Sequence, residues 1–97
     1  MGKITDYESM IRNKVKNINL KDGVNKQEAI LLAQKELLDS TYKDKYDIMK
    51  SIVNYDKGAN TWGIEFKLKK GCTDEDYWGV LIKRGTGEIY SGPLRDL

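Results

Sequence analysis

Histidine is absent from the chain, and cysteine occurs only once, as Cys72. Histidine is the side chain that most often binds metal ions and that most readily exchanges a proton near neutral pH. Without it, neither a Cys-His nor a Ser-His arrangement can form, so the commonest routes to nucleophilic catalysis are excluded. The composition therefore favours a protein that is not an enzyme and that uses no metal or other cofactor.

The chain also lacks the features of secreted, membrane and disordered proteins. A single cysteine cannot form an internal disulfide, which fits a reducing compartment. One proline in 97 residues is typical of a folded chain rather than of a linker. No apolar run has the length of a membrane span or the pattern of a secretory signal. We expect a cytoplasmic protein without a membrane partner, and a signal peptide removed beforehand stays open as an alternative.

An excess of charge of one sign is missing too, because 17 basic residues nearly balance 15 acidic ones and leave a net charge of +2. So small an excess does not by itself predict a nucleic-acid partner, and the placement of the charges has to decide. The first predicted helix carries Arg12, Lys14 and Lys16. This basic face makes a nucleic-acid-associated small protein the alternative function, although a solvated helix surface explains the same residues.

What the sequence does contain is an unbroken alternation of apolar and polar residues over 61–69. Alternation with a period of two predicts an antiparallel strand with one dry and one wet face. A similar pattern recurs over 77–84, and the runs 48–55 and 88–91 predict two further strands, the last of them ending at Gly92-Pro93. Consecutive strands of this kind form an antiparallel meander. The residues expected on its dry face are Trp62, Ile64, Phe66, Leu68, Trp78, Val80 and Ile82.

The register of the first strand is ambiguous in the sequence. Either Ile48 and Ile52 point toward the dry side, or Met49, Val53 and Tyr55 do. Both sets are apolar, so alternation alone does not choose between them.

Two helices are predicted before the strands, over 6–17 and 26–40. Each follows a capping-box pattern, in which a small polar residue and a glutamate three positions later bond each other's backbone. The second helix has a stripe of small residues flanked by leucines, which suits close packing across a sheet. The predicted fold class is α+β: two N-terminal helices and a four-stranded antiparallel meander in one domain over 1–97, with helix two across one sheet face. The capping boxes are Thr5 with Glu8 and Asn25 with Glu28.

If helix two covers the dry face, the other face of the sheet stays open and can bind a partner. An aromatic or apolar anchor surrounded by charged side chains is a common make-up of protein interfaces. The plainer explanation is that cross-strand aromatic pairs stabilise an exposed sheet. Adjacent carboxylates in the loop before strand three are typical of a solvated tip rather than of an acid–base pair. The predicted partner-binding residues are Tyr77, Leu81 and Tyr90 with Glu65 and Lys67 beside them, and Asp74, Glu75 and Asp76 in that loop.

Four segments of the chain carry a family resemblance, and together they span about its last three-quarters. They are Gln27-Glu28-Ala29-Ile30 continuing through Leu32-Ala33, Trp62-Gly63-Ile64-Glu65-Phe66, Tyr77-Trp78-Gly79-Val80-Leu81-Ile82-Lys83, and Thr86-Gly87-Glu88-Ile89-Tyr90. In these four segments the chain resembles small bacterial cystatin-like domains. These include PepSY-type domains and the immunity proteins of the nuclear-transport-factor-like superfamily. The first predicted helix has no counterpart in that pattern.

The resemblance implies a helix packed on an antiparallel meander and a binding protein that neutralises a toxin or an enzyme. It transfers no catalytic residue to this chain. We therefore expect a non-enzymatic protein-binding module, an immunity-type or inhibitor protein, that blocks a protein partner sterically through its open sheet face. The chain is expected to be a monomer or a homodimer, and nucleic acid is not its expected partner.

Overall fold

The computed structural model describes the backbone of residues 2–69 and 77–93, and the side chains within those ranges from Glu8 onward. Two helices are followed by four antiparallel strands in the sheet order β1-β2-β3-β4, which confirms the predicted α+β meander. The second helix contacts the first three strands. The elements are α1 (Gly2–Lys16), a 3₁₀ turn (Leu20–Asp22), α2 (Lys26–Asp39), β1 (Tyr46–Asp56), β2 (Thr61–Leu68), β3 (Trp78–Lys83) and β4 (Ile89–Pro93).

Helix α2 begins at the predicted capping box. The Asn25 side chain accepts a hydrogen bond from the Glu28 N–H at 2.8 Å, and the Glu28 carboxylate accepts one from the Asn25 N–H at 3.0 Å. These bonds satisfy donors that the first helical turn leaves without intrahelical partners. Ala29 and Ala33 on the same helix are fully buried. Because alanine has only a methyl side chain, α2 can approach the sheet closely along this stripe.

The core lies between α2 and one face of the sheet, which we call the inner face. Strand register places Ile64 opposite Val80 and Phe66 opposite Trp78, so the alternating apolar residues of β2 and β3 lie side by side. All four of these side chains are buried, as the alternation predicted. Leu37 of α2 belongs to the same apolar cluster.

Trp62 lies at the margin of the inner face and is only half-buried. Its indole Nε1 donates a hydrogen bond of 2.7 Å to the carbonyl oxygen of Val24, in the link between the 3₁₀ turn and α2. The N–H of Val24 in turn donates to the carbonyl oxygen of Arg84 at 3.1 Å. The link between the helices is thus fastened to the sheet through both backbone groups of one buried residue.

A bulge in β1 explains why its register was ambiguous. Pairing with β2 is irregular between Tyr46 and Ser51, and beyond that point Val53 lies opposite Ile64 on the inner face. Ile48 also packs against the core, while Met49 and Ile52 are 61% and 41% exposed. Each alternative was therefore right for one half of the strand, because β1 takes five steps from Tyr46 to Ser51 while β2 takes two, and an odd number of extra residues reverses the phase of alternation.

Three predicted boundaries differ from the structure by two residues or more. Helix α1 begins at Gly2, so Thr5 lies inside the helix and is not its N-cap. Strand β1 begins at Tyr46, two residues before the predicted start. Strand β4 continues through Gly92 and Pro93, which the sequence had marked as its end. Proline is tolerated there because β4 is an edge strand, where one backbone N–H needs no partner.

Phe66 offers a direct test of the inner-face assignment. It is 0% exposed and packs beside Trp78, with ring centroids 6.1 Å apart. We expect Phe66→Ala to lower the free energy of unfolding by about 3–5 kcal/mol, because it leaves a cavity that the core cannot refill. Chemical denaturation monitored by tryptophan fluorescence measures the change. Lys67→Ala, at the exposed next position of β2, is the control and should change stability by less than about 0.5 kcal/mol. Equal midpoints for Phe66→Ala and the wild type would show the assigned facing to be wrong.

Candidate protein-binding face

The sheet face opposite α2, which we call the outer face, carries the residues that alternate with the core. One cross-strand row across it consists of Asn54, Gly63, Leu81 and Tyr90. The neighbouring row consists of Ile52, Glu65, Gly79 and Gly92. Both helices contribute to the opposite side, since α2 packs on the inner face and α1 packs on α2. Within residues 2–69 and 77–93, no helix or strand covers the outer face.

The structure brings five of the predicted partner-binding residues onto this outer face. Tyr77 and Lys67 are the next residues beyond the paired Phe66 and Trp78, and they point to the opposite side from that pair. The other three are Leu81, Tyr90 and Glu65, in the two rows described above. Asp74, Glu75 and Asp76 lie outside the described residues, and so does Cys72.

Leu81 and Tyr90 form one raised end of the outer face. The Leu81 side chain lies over Gly63, with its Cδ2 3.7 Å from the position that a Cβ on that glycine would take. Tyr90 lies directly across from Leu81 and is 48% exposed. Its hydroxyl donates a hydrogen bond of 2.8 Å to the Glu88 carboxylate. This bond, together with the negative charge of Glu88, raises the pKa of Tyr90, so the phenol stays protonated.

Tyr77 lies at the other end of the face and is 49% exposed. Gly79 is two positions further along the chain, and Leu81 is two positions beyond Gly79. Gly79 and Gly92 are paired across β3 and β4 between these ends. Gly79 is itself buried, so the open part of this region lies over Gly92. A Cβ on Gly92 would meet no atom within 4 Å, which shows that the space above it is open.

Ile52 belongs to the outer face but was not among the predicted binding residues. It lies on β1 directly across from Glu65 and is 41% exposed. The sequence offered it as one of two inward alternatives, so its outward position became clear only with the bulge. An exposed isoleucine extends the apolar part of the face beyond the predicted set, toward the free edge of the sheet.

The basic face proposed for α1 does not form as a single surface. The Arg12 guanidinium pairs with Glu8 at 3.1 Å and with Asp39 of α2 at 2.8 Å. The hydrogen bond to Asp39, followed by that to Glu8, raises the pKa of Arg12. Lys14 and Lys16 are exposed, but two helical positions separate their directions by about 160°. The three cations therefore do not converge on one phosphate-sized target.

A groove of about 430 Å³ lies away from the outer face, between the end of α2 and the first half of β1. Its floor includes Leu37, Tyr46 and Ile48, and its rim includes charged side chains such as Glu8 and Lys69. None of the predicted binding residues that the structure describes lines it. Alternation gives no signal for such a groove, because it depends on how the helix end meets the bulged strand.

In the described part of the chain, the aspartate and glutamate side chains form no cluster of three or more that could hold a metal ion. Neither helix in that part of the chain is long and apolar enough to cross a membrane.

Comparisons of the chain with protein-family models, with curated proteins and with solved structures found no match. The outer face is therefore interpreted from its own geometry.

The ion pairs between α1 and α2 predict a pH-dependent contribution to stability. Burial alone would raise the pKa of Asp39, but hydrogen bonds from Lys35 and Arg12 outweigh it and lower that pKa below its ordinary value of 3.8. A lowered folded-state pKa stabilises the fold above the unfolded-state value, and this contribution is lost as the pH falls through the folded-state value. Because the Asp39 side chain is 41% exposed, solvent screens the effect.

We expect Asp39→Asn to lower the free energy of unfolding by about 0.5–1 kcal/mol at pH 7. The difference from the wild type should shrink as the pH falls below 3.8 and through the lower folded-state pKa, because Asp39 is then protonated in both states. Urea denaturation at a series of pH values measures it. Asp44→Asn removes the same charge from an exposed position in the turn before β1 and serves as the control. A difference that stays constant down to pH 2 would contradict the assigned ion pairs.

Proposed function

We propose that this protein is a non-enzymatic protein-binding module, an immunity-type or inhibitor protein that blocks a protein partner through the outer face of its sheet. The observation that carries the proposal is an uncovered sheet face with exposed aromatic and apolar side chains at its ends. Tyr77, Tyr90 and Ile52 are each between 41% and 49% exposed. Side chains of this size are more often buried, and their grouping on one face is typical of an interaction site.

The make-up of the face supports a protein partner. Tyrosine is enriched in the centres of protein interfaces, where its large rigid ring buries apolar area at low entropic cost. Glu65 and Lys67 lie among these residues on β2 and supply charges of both signs. Charged residues around an interface mainly determine the association rate and exclude wrong partners. A face with both components can combine affinity with selectivity.

The open space over Gly92 suggests how a partner would be seated. A side chain from the partner can enter this space beside the raised end formed by Leu81 and Tyr90. Contacts of this kind bury a projecting anchor in a depression, as binding hot spots do. The module would then act by occupying the surface that its partner needs for activity.

The inhibitor or immunity class rests on the resemblance to cystatin-like domains, and the absence of histidine from the whole chain is consistent with a role without catalysis. Nucleic acid is the weaker alternative, because Arg12 is already neutralised by two carboxylates and the exposed lysines of α1 diverge.

Tyr77→Ala tests the proposal most directly. The purified chain is used to capture its partner from cells that encode it, and the affinity of the identified partner is then measured by calorimetry. We expect Tyr77→Ala to raise the dissociation constant about 30-fold, the equivalent of about 2 kcal/mol. Folding stability should change by less than about 0.5 kcal/mol, because the ring is half-exposed.

Met10→Ala on α1 is the matched control, since Met10 is 44% exposed but lies on the opposite side of the molecule from the outer face. It should leave the dissociation constant unchanged. The proposal is wrong if Tyr77→Ala binds the partner as tightly as the wild type, or if both variants weaken binding equally. Salt-resistant binding of the chain to nucleic acid, weakened by Lys14→Glu, would favour the alternative instead.

A further inference from the structure

The two edges of the sheet differ in how well they resist pairing with another strand. The edge strand β4 is short, and Pro93 removes one of the N–H groups along it. The Lys83 N–H donates to the Glu88 carbonyl, so even-numbered residues of β4 face β3 and odd-numbered ones, including Pro93, face outward. The edge strand β1 extends over 11 residues without a proline. Proteins commonly protect such edges, and β1 has protection only at its bulged half.

In an antiparallel sheet, alternate residues of a strand direct their N–H and C=O groups to opposite neighbours. This alternation shows which backbone groups of β1 have no partner in the sheet. The Arg84 N–H donates to the Asn60 carbonyl at 2.9 Å, so the backbone N–H and C=O groups of Asn60 are directed toward β3. Successive residues of a strand point to alternate sides, and odd-numbered residues of β2 therefore face β1. The Lys69 N–H, which donates to the Lys45 carbonyl, agrees with this phase.

The residues of β1 that lie opposite odd-numbered residues of β2 are Ile52, Asn54 and Asp56. Their N–H and C=O groups therefore form hydrogen bonds with β2. The intervening residues Ser51 and Val53 then direct their N–H and C=O groups to the free edge, as does Tyr55. No described strand lies on that side of β1. The unbulged half of β1 thus presents a regular row of unpaired donors and acceptors.

We infer that this edge binds a second copy of the chain, with the two β1 strands antiparallel about a two-fold axis at Val53. In this register Val53 bonds its own counterpart, and Ser51 bonds Tyr55 of the second copy. Every residue in these pairs is one whose backbone groups face the free edge. A two-fold axis makes the interface self-complementary, which is the commonest arrangement of homodimers.

Charge complementarity selects this occupant and this register. With the axis at Val53, Lys50, which ends the irregular segment beside Ser51, comes near Asp56 of the other copy, and the symmetry repeats the pair. Moving the axis to Ile52 or to Asn54 places Lys50 or Asp56 opposite an uncharged residue instead. Among the described residues, Lys50 forms no ion pair, and Asp56 bonds only the turn N–H groups of Gly58 and Ala59 through one carboxylate oxygen. Both charges are therefore free to pair between copies.

The dimer also accounts for the exposed apolar residue at this edge. In the same register Ile52, which is 41% exposed, lies beside Asn54 of the second copy, so part of its surface becomes buried. The outer faces of the two copies join into one continuous surface. This inference does not depend on the proposed binding function, because it concerns the purified chain alone.

Sedimentation of the purified protein provides the first test. The average mass should rise from 11.1 kDa toward twice that value as the concentration increases. A small interface of this kind places the transition within about 1 µM to 1 mM. Lys50→Glu and Asp56→Lys each replace two attractive pairs by two repulsive ones, and each should weaken the dimer about tenfold or more. An equimolar mixture of the two variants restores opposite charges at both positions and should associate again.

A wild-type chain that stays at 11.1 kDa throughout this range would overturn the inference. So would a mixture of the two variants that associates no better than each variant alone. Asp56→Lys also removes the acceptor for the turn N–H groups, so a second experiment avoids that residue.

Cross-linking at exposed outer-face positions tests the register without altering either charge. Ile52→Cys and Asn54→Cys are made separately in chains carrying Cys72→Ser. With the axis at Val53, these two positions face each other across the dimer at a separation that a disulfide can span. Oxidation of the mixture with diamide should give covalent dimers several-fold faster than oxidation of either variant alone. Equal rates in all three samples would show that β1 does not pair in this register.

Discussion

The close approach of α2 to β2 and β3 is the contact on which the rest of the structure depends. Ala29 and Ala33 are fully buried, as are Phe66 and Ile82 of the sheet. Methyl side chains on the helix let the larger side chains of the strands fill the layer between them at the density of a protein interior. Since one helix covers the inner face in this way, every alternate residue of the same strands is directed to the outer face. The core and the candidate binding surface are therefore two results of a single packing arrangement.

Local patterns were sufficient to predict much of this arrangement. The alternation in β2 and β3 gave the correct facing for Ile64 and Phe66, and the capping box at Asn25 placed the start of α2 correctly. Both signals arise from residues only a few positions apart, which is the range that periodicity and capping rules cover. The outward position of Tyr77 and Leu81 followed from the same alternation, so most of the candidate face was also predictable.

The features that could not be predicted depend either on residues distant in the sequence or on a reversal of the apolar–polar alternation within a strand. The bulge in β1 reversed the alternation between Ile48 and Val53, and nothing in the local composition marks where the extra residues are inserted. The bond from Trp62 to Val24 joins residues 38 positions apart, so it appears only once the helices are docked. The pairing of Arg12 with Asp39 likewise connects two helices and removes a cation that looked available for binding.

Val24 also bears on how the molecule opens in solution. Its N–H and its C=O are both bonded to the sheet, to Arg84 and to Trp62 respectively, and α2 begins two residues later. Local openings of a native protein expose backbone amides to hydrogen exchange in cooperative units. Because detaching α2 breaks both of these bonds, the amide of Val24 and the indole N–H of Trp62 become exchangeable in the same event. Helix α1, which packs on α2, has no equivalent backbone bond to the strands among the described residues, and it can exchange in a smaller opening of its own.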